Sequence, residues 1–246
     1  MATDALLVYG LVLVVGYGAG IVSGIVGTGA TVILLPILVM AFGPREAIPI
    51  MAVVALMSNF AKITSWWKEI DWRACTAYAL GGIPAAALGA RTLLVLPERA
   101  VDGALGLFFL AIVPGRRWLA TRNLRFGFWH LAMAGAVIGF LTGIVVSTGP
   151  LSVPAFAAYG LVKGAFIATE AAGSLALYIS KALVFREFGA LPLDIVLKGL
   201  ISGSSVMAGT YTARLIVERL SVATFQRLLD GVMVIAGLAL LWAAAR

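Results

Sequence analysis

The sequence predicts an all-α, polytopic integral membrane protein built from two repeated halves. Of its 246 residues, 62% are hydrophobic and only 12% charged, which is more apolar surface than a soluble domain of this size can hide. Many of its apolar runs approach or exceed the ~20 residues that a spanning helix needs. A glycine-rich apolar stretch closed by proline occurs twice, as Gly20–Pro36 (GIVSGIVGTGATVILLP) and Gly139–Pro154 (GFLTGIVVSTGPLSVP). Gly139 and Gly143 stand 119 residues after Gly20 and Gly24, Ser23-Gly24 becomes Thr142-Gly143, and Thr28-Gly29 recurs as Thr148-Gly149.

In chain order, the first segment covers residues 5–26. The start, Met-Ala-Thr-Asp, has no basic region ahead of the apolar run, so this segment is expected to be retained rather than cleaved as a signal. Glycine weakens a helix, and proline lacks the donor for the next turn. The helix should therefore break near Gly27–Thr31 and restart towards Pro36, leaving a short second segment, 31–42. Gly43-Pro44-Arg45-Glu46 reads as a turn. The third segment, 47–67, ends in the polar loop 68–73, with tryptophans where an interface would lie. The fourth and fifth cover 74–94 and 100–119, separated by Pro97-Glu98-Arg99.

The most basic loop follows, with Arg116, Arg117, Arg122 and Arg125. It divides the chain into repeats 1–120 and 126–246. The second repeat runs through 126–146, a short 150–159, then 164–185, 191–216 and 223–245. Its last helix echoes the first half, Val101-Asp102-Gly103 returning as Leu229-Asp230-Gly231. That makes about eight long segments and two short ones. If all ten cross, Lys68, Arg73, the 116–125 cluster, Lys163, Arg214, Arg219 and Arg227 share one side. The positive-inside rule makes that side cytoplasmic, and Arg45, Arg91, Arg99 and Arg186 fall opposite. Five crossings per half would also make the halves inverted relative to one another, a common transporter arrangement. About twelve residues rise only ~18 Å as a helix, so re-entrant short segments, with parallel halves, remain the alternative.

Net charge +7 comes from basic residues scattered through short loops, where they act as topology signals, so no nucleic-acid partner is expected. Lone Cys75 and lone His130 exclude a disulfide framework, and neither a metal site nor a cofactor is expected. An enzyme would need clustered acid, base or metal-ligating groups, and none occur together. His130, beside Trp129 at a segment start, fits an interfacial role. Asp102 and Asp230, each before glycine, fit helix contacts.

A helix broken at membrane depth frees backbone N–H and C=O groups, which are tolerated only against protein or a water-filled cavity. Paired breaks in two halves point to a transporter binding site, although Gly20-x-x-x-Gly24 alone equally well serves close helix packing. Restarted half-helices aim free N–H groups and a positive dipole end at the midplane, a ready oxyanion site. Thr28, Gly29, Ser147, Thr148 and Gly149 mark these breaks. Lys62 and Lys181, also 119 apart, lie inside apolar helices and should face protein or water. Read functionally, they are two symmetry-related cations for an anion; read blandly, they snorkel. Asn59 and Tyr178 precede them by three residues and share their faces. Glu170, opposite Met51 in the repeat, is the candidate for a coupling proton, or else forms an ion pair with a base such as Lys181.

At these residues the chain resembles the sulfite exporter TauE/SafE family. That family carries a motif like G-x-x-x-G-x-x-G-x-G-G-G-x-x-x-x-P near its start and a similar one opening its second half. Gly20, Gly24, Gly27, Gly29 and Pro36 match the first, and Gly139, Gly143, Gly149, Pro150 and Pro154 match the second. The chain departs at Ala30 and Thr31, where the family has glycine, and at Val146-Ser147-Thr148. The resemblance implies export of a small sulfur oxyanion or organosulfonate, such as sulfite or sulfoacetate, from the cell (inner) membrane. The reading is thus a secondary transporter working by alternating access around a midplane site, with the lipid bilayer as surroundings and a homodimer compatible. A non-transporting membrane partner protein, or an anion channel of the same fold, is the alternative.

Overall fold

In a computed structural model of the chain, residues 2–27, 29–95, 125–144, 149–189, 191–221, 224 and 227 are described. Among them every regular element is helical. Helices α1 (Ala2–Val26), α2 (Ala30–Phe42) and α3 (Pro44–Ser65) lead through a 3-10 turn (Trp67–Glu69) into α4 (Trp72–Val95). Helices α5 (Phe128–Ile144), α6 (Gly149–Tyr159), α7 (Lys163–Glu187) and α8 (Leu193–Arg219) follow. These bounds lie within a few residues of the expected segments. The expected fifth and tenth segments, with Asp102 and Asp230, fall outside the described residues, as does the basic central loop up to residue 124.

Among the described residues two helical stretches, Leu7–Val26 and Lys163–Glu187, are long and apolar enough to cross a membrane. Others are shorter or diluted by small and weakly polar residues, and the packing explains why. Along α8 the buried residues include Gly199, Ser202, Gly203, Gly209 and Thr210. Small residues let helix backbones approach in a medium that provides no hydrophobic drive between helices.

This packing also decides between the two readings of the paired glycines. Gly20 and Gly24 belong to the continuous helix α1, and a methyl on Gly20 would strike the Val206 carbonyl of α8. Gly139 and Gly143 lie inside α5, where a methyl would strike the Gly82 and Ala86 carbonyls of α4. The Gly-x-x-x-Gly pairs are therefore helix–helix seams, and the break itself is confined to 27–29. Pro36 and Pro154 likewise sit inside α2 and α6 rather than closing a break. Full burial of Leu34 and Leu38 holds α2 helical in spite of the donor that Pro36 lacks.

The halves interlock. Helix α1 lies along α8, α5 lies along α4, and α3 packs against both α7 and α8. Gly16, Gly20 and Gly24 face Ser205, Val206 and Ala213 in turn, so α1 and α8 run the same way. Gly135, Gly139 and Gly143 meet Tyr78, Gly82 and Ala86, so α5 and α4 also run the same way. At the end of α3, Trp66 and the Glu69 carboxylate crowd Gly164 at the start of α7, so these two helices are antiparallel. Arg214 of α8 stacks over the Trp66 ring at 5.1 Å, at the same end as Lys68, Arg73 and Lys163. At the other end, Lys198 of α8 pairs with Glu46 of α3 at 2.5 Å.

Candidate functional site

The break between α1 and α2 is built from glycine. Gly27 (φ 84°) and Gly29 (φ 114°) hold left-handed backbone that residues with a Cβ adopt only under strain. Gly27 N–H closes the last turn of α1 on the Ser23 carbonyl at 2.8 Å. No side chain caps α2 at Gly29. Its first N–H groups, at Ala30 and Thr31, have no intrahelical acceptor and point along a dipole whose positive end lies here.

Lys62 approaches the same break from α3. It is 4% exposed, and its Nζ donates to the Gly27 carbonyl at 2.6 Å and to Asn59 Oδ1 at 3.4 Å. A cation on the terminal carbonyl of α1 satisfies an orphan acceptor and complements the negative dipole end. One ammonium thus sits between the C-terminus of one half-helix and the N-terminus of the next.

These groups line a cavity of about 40 Å³, room for roughly three waters. Its wall includes Ser23, Gly27, Gly29, Ala30 and Thr31 from the first half's break, Gly149 from the start of α6, and the facing sides of α3 and α7. Helix α3 supplies Met51, Ala55, Ser58, Asn59 and Lys62, and α7 supplies Glu170, Ser174 and Tyr178. Met51/Glu170, Ala55/Ser174 and Asn59/Tyr178 are each 119 residues apart, and all six line this one space. Glu170 is 2% exposed. Its Oε1 accepts from Ser152 and Ser174 hydroxyls, each at 2.7 Å, and its Oε2 has no partner among the described residues.

Of the residues singled out from sequence, Gly29, Asn59, Lys62, Gly149, Glu170 and Tyr178 meet at this cavity. Thr28, Ser147 and Thr148 lie outside the described residues. Lys181 is buried but is not part of the wall. Its Nζ donates to the Thr142 carbonyl in the last turn of α5 at 2.9 Å and lies 5.2 Å from the Phe185 ring. The expected symmetric pair of cations is thus divided: both lysines sit on terminal carbonyls of a first half-helix, and only Lys62 borders the space. His130, exposed at the start of α5, stacks on Phe126 and accepts the Gly127 N–H, a local contact.

Ser58, Ser152 and Ser174 were not singled out from sequence. Ser174 stands one turn after Glu170, so i, i+4 spacing would have found it. Ser58, whose hydroxyl has no partner among the described residues, and Ser152 carry no such signal, because serines recur throughout the apolar helices. The arrangement can hold a small oxyanion: a cation, helix N–H groups, hydroxyls and an amide converge on one small space.

The family described as sulfite exporter TauE/SafE matches residues 12–240, nearly the whole chain. No curated protein and no solved structure matches it significantly. Broken helix, buried lysine and family match agree, and the chain belongs to the sulfite exporter TauE/SafE family, membrane transporters of sulfur anions and not enzymes.

Proposed function

We propose that the chain exports a small sulfur oxyanion or organosulfonate, of the sulfite or sulfoacetate kind, by alternating access around the Lys62 cavity. The observation that carries this is Lys62 bordering the uncapped start of α2 in one buried space. Positive dipole ends and a buried ammonium favour an oxyanion over a neutral or cationic solute. Thr28, Ser147 and Thr148 belong to the same proposed site as the residues flanking the two breaks.

The two halves, 1–120 and 126–246, are proposed to be inverted copies that rock around this site. Support comes from the antiparallel run of α3 and α7, the helices bearing Lys62 and Lys181, and from the exchange of partners by which α1 lies on α8 and α5 on α4. The end of the bundle carrying Lys68, Arg73, Lys163 and Arg214 is proposed to face the cytoplasm of the inner membrane, with the basic central loop.

Counterflow tests the reading. Purified protein in liposomes loaded with unlabelled sulfite is expected to accumulate labelled sulfite saturably, with a short alkanesulfonate competing. Absence of counterflow for both solutes in a folded preparation sinks the assignment.

A further inference from the structure

We propose that Glu170 binds the proton that accompanies the anion, so that one proton and one anion cross together. This rests on the transport reading above and extends it to the ion bound with the anion; where the exterior is the more acidic side the accompanying proton opposes export, which then runs on the anion's own gradient.

The placement of Glu170 is the argument. Its carboxyl lies in the cavity wall with the anion-binding groups. Oε1 is held by two hydroxyls from different helices, Ser152 of α6 and Ser174 of α7, which fixes the group in place. Oε2 is buried and has no partner among the described residues. An ionised oxygen left bare in such a space is costly. Protonated, Oε2 becomes an O–H donor in a side chain of the cavity wall; ionised, the carboxylate repels an oxyanion held beside it. Anion and proton therefore bind together, and each raises the affinity for the other by the same factor.

The surrounding charges leave this logic intact. From α3, Lys62 interacts electrostatically with Glu170 across the cavity, yet its Nζ is held on the Gly27 carbonyl. Tyr78 of α4 and Tyr178 of α7 are the other titratable groups that sense Glu170, and both are neutral phenols at physiological pH. Asp71, which meets α7 where its N–H donates to Thr169, places Oδ1 on the Ala74 N–H. Lys181 lies three turns along α7, on the Thr142 carbonyl. With Glu170 ionised an anion at this cavity meets a carboxylate beside Lys62, and with Glu170 protonated it meets Lys62 without that opposing charge.

The step balances simply. A proton from the loading side forms the Oε2–H bond, the anion binds, the site changes sides, and the bond breaks to release the proton with the anion. For a singly charged anion the transported pair is neutral, so the membrane potential has no direct effect.

An alkanesulfonate such as methanesulfonate is the probe, because its charge stays at minus one across the working range. Wild-type proteoliposomes with acidic exterior are expected to concentrate the labelled probe about tenfold per pH unit, with no response to a potassium-valinomycin potential. A dye trapped in the lumen should report one proton per sulfonate. Glu170→Gln keeps a donor of the same shape and is expected to lose both the accumulation driven by the pH gradient and the proton carried with each sulfonate. Accumulation that follows the potential, or a pH-driven response surviving in Glu170→Gln, overturns the proposal. If Glu170→Gln fails to insert, the wild-type proton stoichiometry decides, and a value of zero overturns it. Counterflow by wild type without pH coupling removes only this inference, whereas no counterflow at all removes the transport reading and this inference with it.

Discussion

Replacing Lys62 by methionine tests the anion site most directly, since the side chain keeps its length and loses its charge. An oxyanion seated at the N–H groups of Ala30 and Thr31 lies near the Lys62 ammonium, because both border the same small cavity. At ~4 Å and an effective dielectric of ~20, the attraction is ~4 kcal/mol. The Gly27 carbonyl and Asn59 already take part of that charge, so ~2–3 kcal/mol is the working figure, a rise in KM of roughly 30- to 150-fold. Stability should change less. The Gly27 carbonyl loses a charge-assisted bond worth ~1.5–3 kcal/mol, and removal of a buried cation offsets much of it. The assay is KM by counterflow of labelled sulfonate in proteoliposomes, beside thermal unfolding in detergent. A KM within about threefold of wild type would refute the reasoning. Lys181→Met is the internal control: its head group lies on the Thr142 carbonyl and outside the cavity wall, so its KM should stay near wild type while maximal rate and thermal stability fall.

Gly29→Ala forces φ 114° on a residue with a Cβ, a strain of ~1–3 kcal/mol. Transport should collapse while the protein still inserts, as read by flux beside yield in the membrane fraction. Gly20→Ala pushes a methyl into the Val206 carbonyl and should cost ~1–3 kcal/mol, whereas Gly10→Ala meets open space and should stabilise α1 by up to ~1 kcal/mol; thermal unfolding of the pair distinguishes seam from surface. Tyr178→Phe removes one hydroxyl from the cavity wall, so KM should rise by roughly 2- to 10-fold with little change in stability, as expected for one hydrogen bond of ~0.5–1.5 kcal/mol.

Much of the described fold was legible in the sequence because membrane helices carry their own signal. An apolar run of sufficient length between polar turns leaves the backbone few alternatives, and α1, α3, α4 and α7 lie where such runs occur. The site was legible in part, through the 119-residue offset that ties Met51 to Glu170 and Asn59 to Tyr178, whereas the same offset at Lys62 and Lys181 put one cation too many in the space. What misled was glycine, which serves two purposes in the same stretch. Gly20 and Gly24 admit a neighbouring backbone, while Gly27 and Gly29 supply left-handed φ. One dimension of sequence cannot separate a residue chosen for lack of volume from one chosen for conformational freedom.

The amino-acid order alone pointed to a protein of the bilayer, carried a 119-residue offset between matching glycines and lysines, and placed the break that follows α1 near its glycines. These follow from composition, periodicity and local backbone chemistry, which act over a few residues. Only the tertiary structure decided that Lys62 rests on the Gly27 carbonyl at the cavity edge while its counterpart Lys181 turns to Thr142. It also decided that Ser152 and Ser174 hold one oxygen of Glu170 and that the other has no partner among the described residues. The reason is physical: each of these outcomes depends on which helix faces which across long stretches of chain, and seams of small residues set that pairing at backbone contact distance.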